Sequence, residues 1–194
     1  MPEHPRTGGG VRSGWWRLVI AFLSALLPFT VAAGVGFATL HGRTAGGGGV
    51  LAAPLGDAGS PLLLGILLRN TAVALALFSG VLTVGIGSVL GIAFQGFVVG
   101  ASTGAAATEV GAASALGSVV GYAVLEIPAL LLAAAAGMLP AVAALLPARG
   151  VPPAAPLSRY VAAFRPALFV LGAALLLLVV GAAVETSLIT SRSH

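Results

Sequence analysis

Between Pro61 and Ser102 the chain reads PLLLGILLRNTAVALALFSGVLTVGIGSVLGIAFQGFVVGAS, and only Arg69, Asn70 and Gln95 bring a charge or an amide into it. A helix rises about 1.5 Å per residue and the hydrocarbon core of a bilayer is about 30 Å thick, so one crossing takes about 20 residues. The stretch is too long for one crossing and just long enough for two. Glycine accepts the backbone angles of a tight turn, and Gly80, Gly85 and Gly87 mark the turn between Gly80 and Gly87. The pattern predicts one helix over Pro61–Gly80 and a second over Thr83–Ser102. Ser60 followed by Pro61 is a helix-start signal. In the rival reading Pro61–Leu68 is an interfacial helix and the remainder a broken hairpin.

The rest of the chain is of the same kind. Of its 194 residues, 58% are hydrophobic and 7% charged, and mean hydropathy is +1.09. Soluble domains carry about 25% charged residues, so the solvent for most of this surface is lipid. Met1 to Gly14 is polar and glycine-rich and reads as a disordered cytoplasmic tail. Trp15, Trp16 and Arg17 mark an interface, and Leu18–Leu40 is an uncharged first span. A cleaved leader ending at the small residues near Ala33 is the rival reading, although the run is longer than the usual ~7–15 residues. His41–Ser60 is a loop, and Gly104–Gly111, with Glu109, is a short polar break. A fourth helix follows from Ala112 to Gly137, broken at Pro128. Pro140, Pro147 and the segment Ala148–Pro156 read as a linker. A fifth helix starts between Arg159 and Pro166 and runs to about Ile189. The fold class is all-α: a polytopic transmembrane bundle of about five spans in a single domain over residues 15–190, with a stub from Ser191 to His194.

Orientation follows from arginine, the only basic residue type apart from histidine in the chain. Arg6, Arg12 and Arg17 precede the first span, and Arg149, Arg159 and Arg165 precede the fifth. Four crossings separate the two groups, so they share one side, cytoplasmic by the positive-inside rule. The C-terminus is then outside.

Polar side chains at membrane depth are functional candidates by default, because each costs free energy to insert. They are Arg69, Asn70, Gln95, Glu126 and Glu185, with Tyr122 one turn before Glu126. A hairpin turning near Leu82 puts Asn70 and Gln95 at nearly one height in the outer half of the membrane, with Glu126 at that depth or deeper. The expected pairing makes Arg69 the counter-ion of Glu126 or, failing that, of Glu185. Pro128 removes a backbone hydrogen bond close to Glu126. Such a cluster either fixes helix register or lines a polar chamber open to the outside, with Glu126 the candidate catalytic carboxylate; in a third reading Arg69 or Glu185 snorkels to water and does nothing.

Other chemistries are poorly supported. The high pI of about 11.2 reflects arginines at span ends and not a patch for nucleic acid. There is no cysteine, and His4, His41 and His194 lie outside the spans, so no metal site is expected. Gly85-Ile-Gly87 with Gly91 lacks the preceding strand of a nucleotide loop, and no other motif implies a cofactor. Ser79, Ser88, Ser114 and Ser118 are expected to bond their own helices. Gly87/Gly91, Gly96/Gly100 and Gly117/Gly121 have the four-residue spacing that lets helices approach closely.

Four segments, in order, resemble the stage II sporulation protein M family. They are Ile66-Leu-Leu-Arg-Asn70, Gly91-Ile-Ala-Phe-Gln95-Gly96, Leu125-Glu126-Ile127-Pro128-Ala129 and Ala182-Ala-Val-Glu185-Thr-Ser-Leu-Ile-Thr190. The third is similar to that family's Glu-Leu-Pro-Ala signature. Tyr122 and Ala123 stand where the family often has His-Gly, and Gln95-Gly96 where it has Asn-Gly. The resemblance implies a bacterial cytoplasmic-membrane protein. It implies either an anchor in an assembly that remodels peptidoglycan or a companion of export and maturation of ribosomally made peptides. Three functions are open: a scaffold or accessory subunit docking other membrane or envelope proteins, a transport component, and an intramembrane peptidase or cyclase acting on a peptide.

Overall fold

The computed structural model describes residues 15–43, 62–147 and 155–192. The expected tail (residues 1–14) and most of the two long loops lie outside these residues. The described residues form six α-helices: α1 (Trp15–Leu40), α2 (Leu62–Phe78), α3 (Ile86–Val110), α4 (Ala112–Leu145), α5 (Pro156–Ala162) and α6 (Phe164–Arg192). A 3-10 turn over Ser79–Leu82 continues α2. Among the described residues five helical segments are long and apolar enough to cross a membrane, α5 and α6 together supplying the fifth. The chain is an all-α multi-pass bundle, as its hydropathy predicts.

Three boundaries differ from the sequence reading. The polar break at Gly104–Gly111 shrinks to Gly111 alone, at φ +85. Gly104 is still packed against α1, and the Thr108 hydroxyl donates to its carbonyl at 3.0 Å, so α3 has reason to continue to Val110. The fourth helix continues past Gly137 to Leu145, with Pro128 and Pro140 inside it. Neighbouring helices hold a proline-containing segment helical where it is enclosed by protein, and Pro140 is fully buried. The last helix runs to Arg192, into the expected stub. The α2–α3 turn falls within the expected glycines, and Val84 (φ 52) and Gly85 (φ 89) both take left-handed angles there. Because α2 is one continuous helix from Leu62, no separate interfacial segment precedes it among the described residues.

Close contacts fix the helix directions. Cβ atoms built on Gly96, Gly100 and Gly104 would lie 2.2, 1.9 and 2.6 Å from the carbonyl oxygens of Phe29, Ala33 and Phe37. Both series ascend, so α1 and α3 are parallel, and only glycine permits that approach. Gly36 does the same for α1, against the Phe97 carbonyl. This is the small-residue packing by which membrane helices associate where lipid offers no hydrophobic drive. Of the three glycine pairs expected to make such contacts, Gly96/Gly100 does so most closely. Gly91 faces Leu77 of α2, while Gly117 has no neighbour within 4 Å.

The centre of the bundle is α4. Two thirds of its spanning window is buried, against a third or less for every other span, and Ala133 to Ala136 are all fully buried. A helix surrounded on every side must be apolar all round, and its alanines leave room for α1, α2, α3 and α6. Gly85, at the start of α3, sits against Met138 and Ala141 near the end of α4, so these two are antiparallel. Beyond the end of α4, the Arg159 guanidinium donates to the Ala144 carbonyl and the Tyr160 hydroxyl to the Val81 carbonyl. The start of α1 and the start of the α5–α6 span therefore lie at one end of the bundle. Arg17, Arg159 and Arg165 all belong to that end, as the arginine placement requires.

Candidate functional site

Asn70 and Glu126 come from α2 and α4, a second pair of helices that run parallel to each other through the bundle. Their register is set lower down, where Leu77 of α2 and Gly137 of α4 meet around Ser88 of α3. The Ser88 hydroxyl is fully buried and donates to the Leu77 carbonyl at 2.7 Å. Side chains on Gly80 or Gly137 would overlap it, at 1.9 and 2.2 Å. Two glycines and a buried serine thus lock α2, α3 and α4 together. Ser88 therefore does not bond its own helix, as a helical serine is expected to; it satisfies a carbonyl at the C-terminal end of α2, where carbonyls lack intrahelical partners.

Two to three turns above this lock, Asn70 Nδ2 donates to Glu126 Oε1 at 2.6 Å. Both side chains are half-buried. Asn70 lies about 12 Å from the start of α2, counting 1.5 Å per residue, so the pair sits inside the span. The third wall is α6: a Cβ on Gly181 would stand 3.4 Å from the Leu125 Cβ and 3.6 Å from the Glu126 Cγ. Both are ordinary van der Waals distances, so Gly181 places α6 directly against the carboxylate arm. Nothing in its sequence setting marks it except the absence of a side chain.

The other candidates are placed as follows. Arg69 is exposed and forms no ion pair among the described residues, so it is not the counter-ion of Glu126. Successive helical residues turn by about 100°, and the turn that aims Asn70 at α4 aims Arg69 away. Gln95 is half-buried and follows Ser88 and Gly91 on the α3 face that meets α2. Its amide makes no hydrogen bond among the described residues. The side chains of Tyr122 and Glu185 lie outside those described; on the backbone, Tyr122 is one turn before Glu126 and Glu185 one turn beyond Gly181. Pro128 stands two residues past Glu126 within α4 and leaves the Val124 carbonyl without its usual N–H donor. Among the described residues, no group of three His, Cys, Asp or Glu could hold a metal ion.

A five-span bundle with an amide–carboxylate contact between parallel helices defines a polytopic membrane protein with a polar interhelical junction. Residues 18–190 match the family model described as Stage II sporulation protein M. The chain belongs to that family. No curated protein and no solved structure matches it.

Proposed function

We propose that the protein is a scaffold or accessory subunit of an assembly in a bacterial cytoplasmic membrane, with its N-terminus in the cytoplasm. The observation that carries this reading is the Asn70–Glu126 contact at 2.6 Å. It couples a carboxylate to a neutral amide between two packed helices, an arrangement suited to fixing register. Nearly all described residues are helical and within or beside the spans, which leaves the lipid-facing helix surfaces as the main docking area. Partners in this reading are other membrane or envelope proteins engaged in wall remodelling or in peptide export and maturation.

A second reading makes Glu126 a working carboxylate of a transport component or an intramembrane peptidase or cyclase. The carbonyl of Val124, freed by Pro128 near Glu126, favours this reading. Glu126→Gln separates the two, because the glutamine Oε1 can still accept from Asn70 while the charge and the base are lost. The scaffold reading predicts that Glu126→Gln complements a deletion strain at wild-type expression. A general base contributes about 100-fold or more, so a folded, normally inserted Glu126→Gln protein that fails to complement would overturn the scaffold reading.

A further inference from the structure

We propose that Arg69 binds the phosphate of an anionic lipid in the leaflet at the α2 N-terminal end. Arg69 lies within the spanning segment Leu63–Leu82, yet its side chain is exposed. Around it the surface of α2 is apolar: Leu64, Leu68 and Leu75 are 43, 60 and 48% exposed. A guanidinium on such a face must reach a polar partner, and the structure supplies no carboxylate to it among the described residues. An anionic lipid supplies a phosphate instead.

Direction and reach select the headgroup. Arg69 is about 10 Å from the start of α2. Side chains on a helix lean toward its N-terminus, so the long arginine stem is directed back along α2 toward the nearer interface. A carboxylate on another protein's helix would have to sit beside Arg69 at its own depth, against that lean. At the interface the commonest anion is a lipid phosphate, whose geometry matches the planar donor fork of arginine. Asn70, the next residue, holds Glu126, so a lipid anchored at Arg69 would bear directly on the helix that carries the polar junction.

The site can be read locally because the chain has only two tryptophans, Trp15 and Trp16, at the opposite end of the bundle. The full chain with both changed to Phe and with Leu68→Trp carries its sole tryptophan beside Arg69. It is reconstituted in vesicles of phosphatidylcholine with increasing brominated phosphatidylglycerol, and in a matched series with brominated phosphatidylcholine. One favourable charge contact corresponds to about a five-fold preference for the anionic lipid in fluorescence quenching. The preference disappears in Arg69→Gln, persists in Arg69→Lys and persists in Arg165→Gln at the other end. Helix content by circular dichroism confirms that each variant is folded. Equal quenching by the two lipids, or a preference unchanged by Arg69→Gln, would overturn the proposal.

Discussion

At the scale of single residues, adjacent positions 69 and 70 divide the work. Asn70 turns inward to Glu126, and Arg69 turns outward to the membrane. Composition singled out both residues, but charge alone suggested the wrong partner, since an arginine is the obvious mate for a carboxylate in lipid. Helical phase, which needs the packing of α2 on α4, decides the matter. Asn70→Leu removes the donor while filling the space, and leaving a part-buried acceptor short of a hydrogen bond costs about 1–3 kcal/mol. A lowered transition in detergent unfolding would show this. Arg69→Leu, on the exposed face, should leave the same transition within about 0.5 kcal/mol.

At the scale of helices, the spans were legible because hydropathy and length are local properties. All five fall where the apolar runs lie, and the α2–α3 turn falls among its glycines. The ends were less legible, because tertiary contact sets them. α3 persists through Gly104 because Gly104 rests on the Phe37 carbonyl, and α4 runs through Pro140 because that proline is enclosed. Neither contact leaves a trace in the neighbouring sequence. The same holds for Gly181 and for the Ser88 lock, which depend on residues distant in the chain. The parallel α1–α3 seam leads to a sharp contrast between glycines. Gly100→Leu forces a side chain against the Ala33 backbone, 1.9 Å from its carbonyl oxygen, and should destabilise the bundle by more than about 3 kcal/mol. Gly172 on α6 has nothing within 4 Å, and Gly172→Leu should be tolerated or mildly stabilising through gained helix propensity. Melting of the two variants in one detergent compares them directly; equal losses would mean that the seam is not a close contact.

At the scale of the whole molecule, five spans are consistent with one another only as an odd-numbered bundle. The parallel α1–α3 seam, the antiparallel α3–α4 contact and the tie from Arg159 to the end of α4 place Arg17 and Arg159 at one end. Arg43 and Glu109, after α1 and near the end of α3, mark the other. In the proposed orientation, with the first end cytoplasmic by the positive-inside rule, the Asn70–Glu126 junction would lie in the outer half of the bilayer. The chain has no cysteine of its own, so single cysteines report without background. The most direct test places them at Gly42, Ser158 and Ser193 in intact cells and labels with a membrane-impermeant maleimide. The five-span bundle predicts labelling at Gly42 and Ser193 from outside, and at Ser158 only after the cells are opened. Labelling of Gly42 and Ser158 from the same side would contradict it.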